Sequence, residues 1–191
     1  MKRLLLAAAL CLAGVSHANI VSGFNGAYAV GNWTPSLGTG SISTAGAPNS
    51  ISLTSGDDPT ATAPGSTSFT NFYIQFLVDA TVNFSWVYKT TDADPFFDPF
   101  GYELASTVAG LDVSFAQLTV DGDEGGASTQ SGSQSVFVQA GQYFGFSTFS
   151  DNFGGAATTT INGLVPEPGS LLLLALALAG AGTATRRRRA A

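Results

Sequence analysis

The sequence predicts an all-β chain: an antiparallel β-sandwich of jelly-roll-like build, set between an N-terminal signal peptide and a C-terminal transmembrane helix. Three observations predict it. Runs of alternating apolar and polar residues recur through the middle of the chain, with the side-chain period of two that belongs to a strand. Clusters of Gly, Pro, Asn and Asp separate these runs, and no apolar pattern of helical period runs long enough to compete. The two ends instead hold continuous apolar stretches flanked by basic residues.

Residues 1–18 read as the signal peptide. Lys2 and Arg3 form its positive start, and Leu4 to Val15 is an apolar run of 12 residues. Ser16-His17-Ala18 then puts small residues, Ser16 and Ala18, at the two positions a signal peptidase reads, which places cleavage after Ala18. Twelve apolar residues are too few to cross a bilayer. Cys11 lies inside the apolar run behind bulky Leu10, a setting that does not fit lipid attachment.

Residues 19–165 form the exported part, and all 14 Phe, both Trp and all 5 Tyr fall within it. Alternation is clearest in two neighbouring runs. Phe72, Ile74, Phe76 and Val78 share one face, and Val82, Phe84, Trp86 and Tyr88 share another; Asp79-Ala80 between them reads as the tight connection of a hairpin. Further strands are expected at Ser41–Thr44, Ile51–Thr54, Ser114–Val120, Ser133–Ala140, Tyr143–Phe149 and Thr158–Leu164. Ala47-Pro48-Asn49, Asp121 to Gly126 and Ala140-Gly141-Gln142 punctuate them. Short strands with such punctuation indicate a sandwich, and aromatic inner faces, each ring covering about 150–250 Å², suit its core.

Charge separates the three pieces. Residues 1–18 carry +2 and residues 166–191 carry +3, whereas the middle sets Lys89 against twelve carboxylates, hence -11, within a total of -6. An acidic body argues against nucleic acid as a partner, since phosphate neutralisation needs clustered Lys and Arg. Without Cys11 and His17 the exported part holds neither Cys nor His. That excludes a His-based triad, a thiolate nucleophile and a zinc or iron site of imidazole or thiolate type. Lys89 reads as a solvated strand-end charge.

The densest acidic segment runs from Asp92 to Glu103. Asp92, Asp94, Asp98 and Glu103 could ligate Ca²⁺, which takes six to eight oxygen ligands. Their spacing is not that of an EF-hand, and the preferred reading is a loop in which Asp side chains accept from the backbone and Pro95 and Pro99 fix φ. Asp121-Gly122-Asp123-Glu124 reads first as a hairpin turn. Two of these acids could also serve as acid and base on a glycosidic bond, the least favoured reading.

The C-terminal stretch is uncharged from Gly169 to Thr185, and at 1.5 Å per residue its 17 residues reach roughly 25 Å, the short limit of a membrane span. Arg186, Arg187, Arg188 and Arg189 follow and, by the positive-inside tendency, stay cytoplasmic. Pro166 and Pro168, flanking Glu167, disfavour helix just ahead of the span and leave an extended, accessible segment there. This order of parts (Pro166-Glu167-Pro168, the helix 169–185, then the arginines) resembles a PEP-CTERM sorting tail. The resemblance implies a Gram-negative exported protein, anchored transiently in the inner membrane, whose tail an exosortase cleaves near Pro166-Glu167-Pro168 to release the rest to the cell surface or an exopolysaccharide matrix. A permanent single-pass anchor is the alternative.

The exported part itself resembles a recurrent domain type among PEP-CTERM proteins. The residues that carry this are Asn32-Trp33-Thr34, Ala45-Gly46-Ala47-Pro48, Ile51-Ser52-Leu53-Thr54, Phe84-Ser85-Trp86-Val87-Tyr88, Asp98-Pro99-Phe100-Gly101-Tyr102 and Gln117-Leu118-Thr119, with Ser131-Gly132-Ser133 and Phe144-Gly145-Phe146 after them. The resemblance implies a sandwich and brings no known activity; Glu103 departs from it, standing where apolar residues are usual. Three functions compete: a non-enzymatic protein of the cell envelope or exopolysaccharide matrix, which is preferred; a carbohydrate-binding module, with or without calcium, that uses Trp33, Tyr28 or Tyr73; and an acid-pair glycoside hydrolase. No cofactor is expected; calcium is the one candidate, second to the loop reading.

Overall fold

The computed structural model describes residues 19–21, 23–58, 67–151 and 153–163. Among them eleven strands run in chain order: β1 (Asn19–Val21), β2 (Thr34–Ser36), β3 (Ser41–Ser43), β4 (Ser50–Thr54), β5 (Ser68–Gln75), β6 (Ala80–Thr90), β7 (Phe100–Ala105), β8 (Phe115–Gln117), β9 (Thr129–Val138), β10 (Tyr143–Ser150) and β11 (Ala157–Gly163). No helix among the described residues is long and apolar enough to cross a membrane. The expected signal peptide with Ser16 and Ala18, the Pro166-Glu167-Pro168 segment, the helix 169–185 and Arg186 to Arg189 lie outside the described residues.

The longest strand, β6, is rich in β-branched and aromatic residues, which pack well on a pleated surface. Its odd and even positions divide as the alternation predicts: Val82, Phe84, Trp86 and Tyr88 are buried, while Val87 and Lys89 are exposed. One edge of β6 pairs with β9 along its length, from Ala80↔Val138 to Lys89↔Thr129. The other edge carries β11 and, over Ala80–Val82, the parallel strand β1. β11 pairs onward with β4, and β4 with β3, completing a six-stranded sheet in which β9 is a margin. The second sheet has five strands in the order β2-β5-β10-β7-β8, all antiparallel.

The two sheets share one buried core of aromatic rings. Trp33 stacks on Phe72 at 5.2 Å and on Phe146 at 5.6 Å, and Phe146 meets Phe84 edge-on at 5.0 Å. Offset and edge-to-face pairs of this kind add to the stabilisation that burial provides. Gly132 of β9 lies flat against the Trp86 indole: a Cβ there would come within 2.9 Å of the ring.

The expected hairpin between residues 72–78 and 82–88 does not form. β5 and β6 belong to different sheets and face each other across the core, so their shared apolar pattern reports a common interior and not a common ladder. The turn expected at Asp121 to Gly126 likewise joins sheets: β8 lies in one and β9 in the other, linked through a 3-10 turn at Gly122–Glu124 that Gly125 ends at φ 89°. The strand expected at Ser114–Val120 shortens to β8 because its flanks turn to local bonds. Ser114 Oγ donates to the Leu111 carbonyl, and Thr119 Oγ1 accepts from the Phe100 N–H. β7 was hidden by the Asp-Pro pairs before it and by burial on both its faces, which removes alternation.

Candidate functional site

Residues 91–99 carry the chain from β6 across to β7. Asp94 opens a 3-10 turn at Pro95–Phe97, and its Oδ1 accepts from the N–H of Phe96 at 2.9 Å and of Gly122 at 2.8 Å. That is the loop role expected of it, and it also ties this crossing to the next one. Asp92 accepts from the Ala93 N–H through Oδ1, while its buried Oδ2 has no hydrogen-bond partner among the described residues. Burial raises the Asp92 carboxyl, the Ala93 and Asp94 amides oppose that, and Asp151 and Asp57 add to it.

Asp98 is fully buried, and neither of its carboxylate oxygens has a hydrogen-bond partner among the described residues. It sits at the end of the core, close enough to feel Ser55 beyond β4, Ser150 of β10, Asp92 and Asp151. The hydroxyls nearby give their protons elsewhere: Ser150 Oγ donates to the Gly56 carbonyl at 2.6 Å, and Ser55 Oγ donates to the Ala157 carbonyl and accepts from the Ala157 amide. Burial therefore dominates and pushes Asp98 up to about 7, with the two serines opposing the rise and the two aspartates assisting it.

Glu103 lies in β7 of the five-stranded sheet. Phe100 belongs to the core, so Glu103, at odd spacing along β7, points to the outer face. There the segment 106–114 covers it. Gly110 packs over Ala105, Leu111 is buried away from the main core, and Asp112 Oδ1 accepts from Asn71 Nδ2 at 2.7 Å. Asn71 Oδ1 in turn accepts from Ser147 Oγ at 2.6 Å. Beside this chain of bonds Glu103 is fully buried with both oxygens unpartnered, and burial pushes it up to about 7, Ser147 opposing and Asp112 assisting.

The four acids of the sequence segment thus divide. Asp92 and Asp98 approach one another at the end of the core, Asp94 is engaged by backbone amides, and Glu103 lies across a sheet from them. Among the described residues no group of three or more His, Cys, Asp or Glu side chains is placed to hold a metal ion.

Aromatic rings do line an open cavity, at a place the sequence did not suggest. Phe69, Phe96, Phe97, Phe115 and Phe149, with Pro99, line about 430 Å³ on the outer side of the five-stranded sheet, with Thr67, Gln117 and Asp151 at its margin. Phe69 meets Phe149 at 5.2 Å and Phe115 at 5.7 Å, both edge-on. The rings considered from sequence behave differently. Trp33 is a core residue, 7% exposed, and its Nε1 donates to the Tyr28 carbonyl at 2.9 Å. Tyr28 packs on Phe76 at 4.8 Å. Tyr73 remains at the surface beside Tyr143, in a hollow of about 460 Å³. Parity was the available clue: Phe69 and Phe149 fall on the strand faces opposite to Phe72, Phe144 and Phe146.

A family description, the PEP-CTERM protein-sorting motif, matches residues 164–189, which contain Pro166-Glu167-Pro168 and the four terminal arginines. No curated protein matches the chain significantly. Among solved structures, an arabinose-bound α-L-arabinofuranosidase is similar over 74% of this chain at 17% identity with a TM-score of 0.38. The chain spans about a quarter of that enzyme, 24%, and a likeness this distant carries no argument about fold or activity.

Proposed function

We propose that this chain, which carries a PEP-CTERM sorting motif, is a non-enzymatic protein of the cell envelope or its exopolysaccharide matrix. The motif at residues 164–189 carries the reading, because it is of the kind that exosortase recognises: the chain is exported as a membrane-anchored precursor and sorted through its C-terminus. Pro166 and Pro168 lack amide donors and favour an extended, accessible strand of chain for processing.

The chemistry of the described residues supports a role without catalysis. The two carboxyls held near neutrality, Asp98 and Glu103, are fully buried, one at the end of the core and the other on the outer face of the five-stranded sheet, so they do not flank a shared cavity as a glycosidase pair must. The open cavity nearby is walled mainly by phenyl rings and proline, and Asp151 is the single carboxylate in its lining, so it holds no acid pair. Mass spectrometry of the protein isolated from its own cells, with fractionation of membrane, surface and matrix, tests the reading. A C-terminus near Pro166 in the surface or matrix fraction is expected; an intact tail confined to the inner membrane would overturn it.

A further inference from the structure

The two sheets differ in what covers their outer sides. The five-stranded sheet is overlaid by the segment 106–114 and flanked by phenyl rings, whereas the outward residues of the six-stranded sheet are exposed or half-exposed throughout β3, β4, β11, β6 and β9. Register arranges those outward residues in rows across the strands. One row is Ser43, Ser52, Thr160, Val87 and Ser131, and the next is Ser41, Thr54, Thr158, Lys89 and Thr129. Strand geometry spaces such positions by roughly 5 Å across the sheet and 7 Å along it. Apart from Lys89, neither row holds a charge, in a body of -11.

Chemically this face is a lattice of hydroxyls. Neighbours already engage one another, Ser52 Oγ with Thr160 Oγ1 at 3.3 Å and Thr54 Oγ1 with Thr158 Oγ1 at 3.1 Å. Each hydroxyl offers one donor and two acceptor sites, so a bonded pair retains one donor and three acceptor sites for a ligand. A ligand that matches must donate and accept by turns over a length of many ångströms, which is the character of a polyol chain. The acidic body repels polyanions, removing uronate or phosphate polymers from that class. A sheet twists by about 20–25° per strand, so this surface suits a polymer that can follow the twist and not a rigid crystal plane. β9 widens the platform: it is a margin of ten residues without Pro or charge, whereas the other margins, β1, β3, β2 and β8, have three residues each.

We infer that the outer face of the six-stranded sheet binds a neutral polysaccharide laid across its strands, held by hydroxyl-to-hydroxyl hydrogen bonds; this rests on the matrix reading above and supplies its partner. Single bonds of this type contribute little, so affinity comes from many contacts along one chain. The aromatic cavity on the other sheet takes no part.

Affinity electrophoresis of the full-length chain in non-ionic detergent, through gels containing hydroxyethyl cellulose, dextran or alginate, tests the inference. Retardation is expected in at least one neutral polymer and not in alginate. The triple variant Ser52→Ala, Thr160→Val, Ser131→Ala is expected to weaken retardation at least about tenfold, the lower bound for the loss of three net hydrogen bonds. Ser133→Asp, a single exposed change on the same face of β9, is expected to weaken it as well and serves if the triple variant does not fold. Phe96→Ser, in the aromatic cavity, leaves it unchanged. Absence of retardation in both neutral gels, equal retardation in alginate, or loss with Phe96→Ser in place of the face variants would each overturn the inference. Failure of the matrix reading shows elsewhere, as a chain that binds the polymer in these gels yet never leaves the inner membrane of its cells.

Discussion

The buried carboxyl of Asp98 makes a quantitative prediction about stability and pH. In the unfolded chain an Asp titrates near its ordinary 3.8, and in the folded protein Asp98 is pushed up to about 7. Its folded-state value is raised, so its contribution is fully present below about pH 4 and is lost as pH rises through about 7. At 1.36 kcal/mol per tenfold change in proton affinity, the loss amounts to ~4 kcal/mol at most, a large part of the 5–15 kcal/mol that ordinarily holds a domain together. Relaxation around the charged form lowers the figure, and half of it remains easily measured. Asp98→Asn keeps the shape and removes the titration. Urea unfolding of residues 19–165 at pH 4.5, 6.0, 7.0 and 8.0, followed by the fluorescence of buried Trp33 and Trp86, supplies the test. The parent protein is expected to lose several kcal/mol between the first and last pH, and the variant to lose distinctly less, becoming the more stable of the two at pH 8.0. The exposed acids of the body repel one another alike in both proteins, so the difference between them isolates Asp98. A parent protein that grows more stable with pH, or a variant whose pH profile parallels it, would refute the argument.

Glu103→Gln is expected to flatten a second, smaller part of the same profile, ~3 kcal/mol at most from its ordinary 4.5 and its folded value of about 7, and to add to the effect of Asp98→Asn because a sheet separates the two sites. Urea unfolding of the double variant measures the additivity. Trp33→Ala, in a ring packed on Phe72 and Phe146, is expected to cost about 3–5 kcal/mol in the same assay, as deletion of a core aromatic does; a loss under 1 kcal/mol would return Trp33 to the surface. EDTA is expected to leave the thermal midpoint of residues 19–165 unchanged, and a fall of several degrees would restore a calcium site. Glu167→Ala combined with replacement of Arg186 to Arg189 is expected to leave uncleaved precursor on an immunoblot of whole cells, and unaltered release would contradict the sorting assignment.

Sequence pattern made some levels of this fold legible and others not, for physical reasons that particular residues illustrate. The inward faces of β6 and β10 are set by solvent alone: Val82, Phe84, Trp86 and Tyr88, like Phe144 and Phe146, are buried whatever strand lies beside them. Partnership is a different matter. β5 and β6 are adjacent in sequence and alike in pattern, yet they lie in opposite sheets, because period two records which side of a strand is dry and not which strand supplies its hydrogen bonds. The outward hydroxyls of β3, β4, β11 and β9 were likewise visible one by one as polar positions. Their alignment into rows depends on register, which no local pattern states.

The acidic segment shows the same limit from the other direction. Asp92, Asp94, Asp98 and Glu103 crowd into twelve residues, and closeness along the chain suggested a common ligand site. Asp98 and Glu103 are five residues apart, and along an extended chain an odd separation sends side chains to opposite faces. Asp98 itself precedes the strand, but Phe100 against Glu103 is also an odd separation, so the outward direction of Glu103 was implicit in the numbering once residues 100–105 are taken as a strand with Phe100 inside. What concealed that strand was its environment. Phe100 and Leu104 face the core while Gly101, Glu103 and Ala105 face a covered outer side, so β7 is dry on both faces and shows no alternation, and Pro95 and Pro99 ahead of it read as loop. The covering segment 106–114 is thus the decisive element at this site. By sealing the outer face over Glu103 it turns a carboxylate that would otherwise be solvated into a buried group titrating near neutrality, whereas the six-stranded sheet keeps a solvent-facing outer side whose two aligned rows carry Lys89 as their one charge.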